Sequence, residues 1–233
     1  MRILALDTAL DACSVAVFDT DAGLLAHDSR ALGRGHAEAL MPMLAQVMAR
    51  SGLAFAALDR IGVTVGPGSF TGLRVAISAA RGIGVAADKP VVGLTTLAAY
   101  AAPLLAEDRT RPVATAIDAR HDHVYFQGFA AGGAPLAAPA VIPIVQAAEA
   151  AAAMKNCRLA GNAAALLAAR WPAEAAPPAA VSTEAAPDIV WVARLAALAD
   201  AATARPRPLY LRAADAKPQN VAGIARQPHA SGG

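Results

Sequence analysis

The chain has 233 residues, 56% of them hydrophobic but only 4% aromatic, and a formal net charge of +2. Much of the apolarity is alanine, and the longest weakly polar run, residues 91–106, contains Thr95, Thr96 and Pro103 and falls short of the ~20 residues a membrane-crossing helix needs. So small and scattered a positive charge excludes a chain that grips nucleic acid unaided, since a phosphate-binding surface gathers Lys and Arg on one face.

Cys13 and Cys157 are the only cysteines, so no disulfide framework is expected. The opening run Arg2-Ile3-Leu4-Ala5-Leu6-Asp7 carries an acid inside its apolar stretch, unlike a cleaved leader, and the cytoplasm is the expected compartment.

Residues 2–7 and 13–19 are short apolar runs on either side of residues 8–12, and a third run, 24–30, follows Asp21-Ala22-Gly23. They predict an antiparallel meander. From 36 to 50, Leu40, Leu44 and Val47 recur at helical spacing, with Met43 and Met48 widening the stripe. Pro42 lies inside it and predicts a kink, or a helix regular only from that residue onward.

Residues 61–65 form a β-branched run that ends on Gly66. Beyond the glycines, Phe70, Leu73, Ile77 and Ala80 mark a helix with Ser69 placed as its cap. Asp88-Lys89-Pro90 ends it, residues 91–94 make a strand and residues 95–106 a helix. The order β-β-β-α-β-α-β-α predicts a mixed sheet.

The charged stretch 107–112 reads as a boundary. After it, residues 113–117 and 124–129 echo the opening hairpin, which predicts a duplicated unit whose second copy is reduced. Residues 130–187 are rich in Ala and Pro and show only short elements around 141–153 and 161–170. An amphipathic helix over 188–204, through Ile189, Val192 and Leu195, an extended segment at 208–212 and a flexible tail at 213–233 complete the chain.

The segment Gly66-Pro67-Gly68-Ser69-Phe70-Thr71-Gly72-Leu73-Arg74 joins a strand to a helix, a setting in which free amides can bind an anion. It is not a Walker A loop, because Leu73 and Arg74 stand where Lys and Ser/Thr are required. Nor is it a dinucleotide fingerprint, which would need glycine at Thr71. Two readings stay open: a tight turn for close helix–strand approach, or a surface for a ligand or partner. On the helix that follows, Arg74, Ser78, Arg81 and Val85 share one face, and Ala79, Ala80, Gly82 and Gly84 keep it slim.

His36 and Glu38 are two apart on a helix and point away from each other. His121 and His123 share a strand face but have no third metal ligand, and Cys13 sits in an apolar strand where a thiol is inert.

The nine-residue glycine segment, together with residues 2–9, 13–16, 36–44, 92–97, 116–120, 124–125 and 208–212, resembles the TsaB (YeaZ-like) family in order along nearly the whole chain. The resemblance implies an α/β, actin/Hsp70/sugar-kinase-like (ribonuclease H-like) fold of two lobes with mixed sheets. Residues 1–108 would form the first lobe, completed by 188–212, and 109–187 a smaller second lobe.

It also implies a non-catalytic partner of the TsaD subunit, acting with the TsaE ATPase to transfer a threonylcarbamoyl group to N6 of the adenosine beside the anticodon in tRNA. Thr96 and Tyr100 stand at the transferase's metal-ligand histidines, so no metal site is expected. Asp7, Thr8 and Ser14 correspond to a vestigial phosphate loop, and the second-lobe turn, residues 118–123, lacks glycine. Hence no intrinsic cofactor is expected, with ATP or ADP only in the assembled complex.

The partner interface is expected on two helices, at His36, Leu40, Met43, Leu44 and Val47 and at Phe70, Arg74, Ile77, Ser78 and Arg81. The same helices could serve a homodimer. The rival readings are a stand-alone ATP-using small-molecule kinase or hydrolase of this fold, and a peptidase.

Overall fold

A computed structural model describes residues 1–212. The first lobe opens with β1 (Arg2–Asp7), β2 (Ala12–Asp19) and β3 (Gly23–Ala31), an antiparallel meander. Helix α1 (His36–Ser51), a single 3₁₀ turn at Phe55–Ala57, β4 (Arg60–Gly66), α2 (Phe70–Ala87), β5 (Val91–Thr95) and α3 (Thr96–Glu107) follow. β4 pairs parallel to β1 and β5 parallel to β4, giving the sheet order β3-β2-β1-β4-β5.

The second lobe repeats this plan with shorter elements: β6 (Val113–Asp118), β7 (His123–Phe129), β8 (Ala140–Pro143), α4 (Ile144–Ala153), β9 (Arg158–Ala160), α5 (Ala164–Ala169), β10 (Ala180–Ser182) and α6 (Ile189–Leu198). Its sheet order is β10-β9-β6-β7-β8, with β6 in the place of β1. The reduced copy therefore keeps every strand and helix of the first. β9 and β10 have three residues each, too few to show a period in the sequence.

Helix α1 runs unbroken from His36 with Pro42 inside it, where the sequence predicts a kink or a later start. Pro42 cannot donate to the carbonyl of Glu38, but both residues are exposed, so water can serve that carbonyl. Helix α6 ends at Leu198, six residues before the periodicity suggests. Asp200 Oδ1 accepts from the Ala202 amide at 3.0 Å, a local turn that competes with helix. Residues 208–212 form no regular strand, and the segment 213–233 lies outside the described residues.

The third helix of each lobe packs on the other lobe's sheet. From α3, Leu97, Tyr100 and Ala101 bury against Val113, Ile117, Phe129 and Ala160 of the second sheet. From α6, Ile189, Val192, Ala193 and Ala196 bury against Ile3, Ala5, Ala16, Phe18 and Val92 of the first. With α1 and α2 on its opposite face, β1 is covered on both sides, which is why its residues 3–7 are all buried.

An arginine closes each exchanged helix. Arg60, at the start of β4, donates Nη1 to the carbonyls of Ala196 (2.8 Å) and Ala199 (2.5 Å) at the end of α6. Arg158, at the start of β9, donates Nη2 to the carbonyl of Asp108 (2.6 Å) at the end of α3. A cation at a helix C-terminus meets unpaired carbonyls and the negative end of the helix dipole.

Among the described residues no helix is long and apolar enough to cross a membrane. Arg60→Ala and Arg158→Ala are each expected to lower stability by about 2 kcal/mol, the scale of a charged hydrogen bond removed from a partly buried site. The urea midpoint checks this, and one cooperative transition for both lobes is expected because the helices are exchanged.

Candidate functional site

The glycine segment is a turn fitted against the β1–β2 hairpin. Gly66 has φ 109°, a backbone region that L side chains avoid, and the bond to Pro67 is cis. A Cβ on Gly68 would overlap the carbonyl oxygen of Ala9, and one on Gly72 that of Thr8. The Ser69 amide donates to Ala9 O at 2.7 Å, and the Thr8 hydroxyl donates to Gly72 O at 2.6 Å. Ser69 also caps α2, its hydroxyl accepting from the Gly72 amide at 3.2 Å.

This packing engages part of the turn within the protein: the amides of Ser69, Gly72 and Leu73 are bonded there, and Pro67 has none to offer. Asp7 and Ser14, which the sequence groups with Thr8, also turn inward. Asp7 Oδ1 accepts from the Ala9 amide at 2.9 Å and from the Thr64 hydroxyl, while Ser14 and Ser29 share a hydrogen bond of 2.7 Å.

Asp7 is fully buried, and its Oδ2 has no partner among the described residues. Burial pushes its carboxyl above the usual carboxylate range, against smaller opposing effects from Thr64, Ala9 and His36. Nearby on α3, Thr96 and Tyr100 are buried. The Thr96 hydroxyl has no partner among the described residues, the Tyr100 hydroxyl donates to Glu184 O at 3.0 Å, and burial raises the Tyr100 pKa.

Between the lobes lies a cleft of about 800 Å³. Arg34, Arg120 and Arg212 line it together with Asp11, Glu38 and Asp118, so formal charges of the two signs are equal in number. Its second-lobe wall is the β6–β7 turn, in which Arg120, His121 and Asp122 take φ of 62°, 51° and 56° without a glycine. Asp118 Oδ1 accepts from the Arg120 amide at 2.7 Å, the same local bond that Asp7 makes with Ala9 at the end of β1. In that turn, His123 Nδ1 lies 2.7 Å from the carbonyl oxygen of His121.

The interface candidates divide by burial. Leu40, Met43, Leu44, Val47 and Ile77 lie in the first-lobe core, where no partner can touch them. An apolar i, i+3, i+4 stripe marks the face a helix buries, and these five belong to it. Phe70, Arg74, Ser78 and Arg81 are exposed, and His36 is half-buried. On α1 the exposed stripe is Ala37, Met41, Ala45 and Ala49, which lies beside the buried one.

Sequence reasoning missed the part of the site supplied by Leu209, Tyr210 and Arg212. They line the cleft beside the glycine turn, and Tyr210 accepts a hydrogen bond from Arg74 Nε at 3.1 Å. Pro208 marks an extended segment and residues 208–212 belong to the family resemblance, but neither signal says where the segment docks.

Two substitutions test the filled turn. Thr8→Val removes the buried hydrogen bond to Gly72 O and leaves that carbonyl its helical partner alone, at an expected cost of about 1 kcal/mol in chemical denaturation. Asp7→Asn removes the ionisation. A carboxyl whose pKa is raised by folding contributes stability at acid pH that is lost as pH rises above 3.8 through the folded value. The urea midpoint of Asp7→Asn should therefore gain on the parent as pH rises above 3.8.

Residues 30–219 match the family model of TsaD, tRNA N6-adenosine threonylcarbamoyltransferase. A Haemophilus influenzae protein named tRNA threonylcarbamoyladenosine biosynthesis protein TsaB is 38% identical over 126 residues, which are 54% of this chain and 52% of the relative. The chain spans about half the length of the curated relatives it matches. The solved structure of YeaZ from Pseudomonas aeruginosa aligns with a TM-score of 0.75 at 31% identity, over 90% of this chain and 99% of that one.

A ROK hexokinase from Thermus thermophilus aligns with a TM-score of 0.51 at 16% identity, over 85% of this chain and 99% of the hexokinase. It shares the two-lobed sugar-kinase-like fold alone. With the YeaZ structure matched over nearly its whole length, the chain belongs to the TsaB (YeaZ-like) family.

Proposed function

We propose that this chain is a non-catalytic partner subunit in the transfer of a threonylcarbamoyl group to N6 of the adenosine beside the anticodon in tRNA, binding and activating TsaD. The observation that carries the reading is the state of Thr8, Asp7 and Ser14, which all bond inward, with the backbone of the glycine turn packed directly on Thr8 and Ala9. Thr96 and Tyr100 support it, since a buried hydroxyl and a phenol whose proton goes to Glu184 O make poor metal ligands.

The helix face left uncovered fits the partner role. Met41 on α1 and Val85 on α2 are 51% and 85% exposed, and Ala37, Ala45, Ser78 and Gly82 keep the surface between them low. Small residues let two helix pairs approach closely, and Arg74 and Arg81 flank the apolar strip with charge. TsaD, whose family model matches this chain, would present an equivalent helix pair about a pseudo-twofold axis.

A second copy would use the same face in a homodimer when the partner is absent. TsaE and tRNA would join through the complex, in the cytoplasm. The chain takes no cofactor of its own, and ATP or ADP enters only with the assembly.

Met41→Glu and Ser78→Trp are expected to weaken co-purification with TsaD and raise Kd at least about tenfold, because both place bulk or charge at the centre of the face. Glu149→Ala, on the exposed side of α4, should leave Kd unchanged. Retention of full binding by both face variants would remove the interface from α1 and α2. Robust ATP turnover or peptide cleavage by the purified chain would favour the kinase or peptidase reading.

A further inference from the structure

After α6 the chain turns back over the first sheet. The Gly93 amide donates to Ala204 O at 2.8 Å, and a Cβ on Gly93 would stand 2.7 Å from the carbonyl oxygen of Arg205, so this crossing requires glycine. The Leu209 amide then donates to Val65 O of β4 at 2.7 Å. Tyr210 packs on Phe70 with ring centroids 4.9 Å apart, and the Arg74 guanidinium lies 3.8 Å over the Phe70 ring while its Nε reaches the Tyr210 hydroxyl. Two residues on, Arg212 Nη1 donates to the carbonyl of Ala119 at 2.7 Å.

Val65 ends a first-lobe strand, and Ala119 begins the second-lobe turn that carries Asp118 and Arg120 into the cleft. We propose that residues 209–212 are an interlobe clasp that sets the opening of the cleft. Three residues span at most ~10 Å when extended, so an anchor at Val65 leaves the Arg212 side chain little slack to follow a moving second lobe. Opening the cleft at this wall breaks the bond to Ala119 or strips Tyr210 from Phe70. Ala119 is itself buried, so its carbonyl moves only with the turn that holds it.

The exchanged helices join the lobes, and the clasp fixes the angle between them. Arg74 belongs both to the clasp and to the exposed face of α2, which brings lobe opening and that face together at one side chain. The clasp does not depend on which partner the face receives.

Pulsed electron paramagnetic resonance on the full chain tests it, with nitroxides at Ala22→Cys in the first lobe and Glu149→Cys in the second, both exposed positions. Cys13 and Cys157 are buried, with thiols pushed up to about 11, and stay unlabelled. Dilution with unlabelled chain restricts the signal to distances within one molecule.

One narrow distance distribution is expected in the parent, and a shifted, broadened one in Arg212→Ala and in Tyr210→Ala. Arg212→Lys keeps a donor for Ala119 and should restore the parent distribution. Arg212→Ala carries the test alone if Tyr210→Ala does not fold. An unchanged distribution in a folded Arg212→Ala variant overturns the clasp.

Discussion

The exchange of α3 and α6 between the two sheets holds this molecule together, and the rest of the fold is arranged around it. A small-residue chain has few large side chains with which to bury area, and an alanine helix reaches a sheet only by coming close. Gly62 shows how close: a Cβ there would overlap the Cβ of Ala196. Each sheet gains a cover on its second face from the other half of the chain, so neither lobe is closed alone. The same solution appears twice, with Arg60 and Arg158 opening equivalent strands and reaching the ends of equivalent helices. Each guanidinium also has a buried Nε without a partner among the described residues, so the hydrogen bonds that hold these two side chains are made by Nη atoms to carbonyls.

Closeness of the same kind shapes the glycine turn of the first lobe. In a turn that receives phosphate, glycines open a path for the ligand to reach backbone amides. Here Gly68 and Gly72 open a path for the backbone of Thr8 and Ala9, and the amides of Ser69, Gly72 and Leu73 bond within the chain. The second lobe keeps the matching Asp118 exposed on the cleft, but three non-glycine residues in left-handed conformation form its turn. With Arg34, Arg120 and Arg212 offset by Asp11, Glu38 and Asp118, the cleft has no strong field for a polyanion.

Much of this was legible in the sequence wherever a local period or a breaker carried the information. The opening meander, α1, α2 and the cap of α2 follow from alternation, helical spacing and Ser69. The strands Arg158–Ala160 and Ala180–Ser182 were not, because three residues between Ala-rich segments have no period. Nor does spacing reveal destination: Leu97 and Tyr100 read as helix, but nothing local says that they cover the other lobe's sheet. The same limit misplaced Leu40, Met43, Leu44, Val47 and Ile77, since an apolar stripe says that a face is covered without saying by what. The contact of Arg74 with Tyr210, 136 positions apart in the chain, has no local trace at all.

The surface of the first lobe joins an exposed helix face to the rim of the cleft. Thr8, Asp7 and Ser14 bond within the lobe, while Phe70, Arg74, Ser78 and Arg81 are exposed on α2. A partner seated on α2 as proposed would meet Arg74; Arg74 bonds Tyr210, and Arg212 two residues beyond bonds the second lobe at Ala119. These contacts are contiguous, but contiguity alone does not establish coupling. Coupling requires that the partner bind one lobe angle better than another. The proposed clasp supplies an element that such a preference would act on, because opening the cleft would break the bond to Ala119 or part Tyr210 from Phe70.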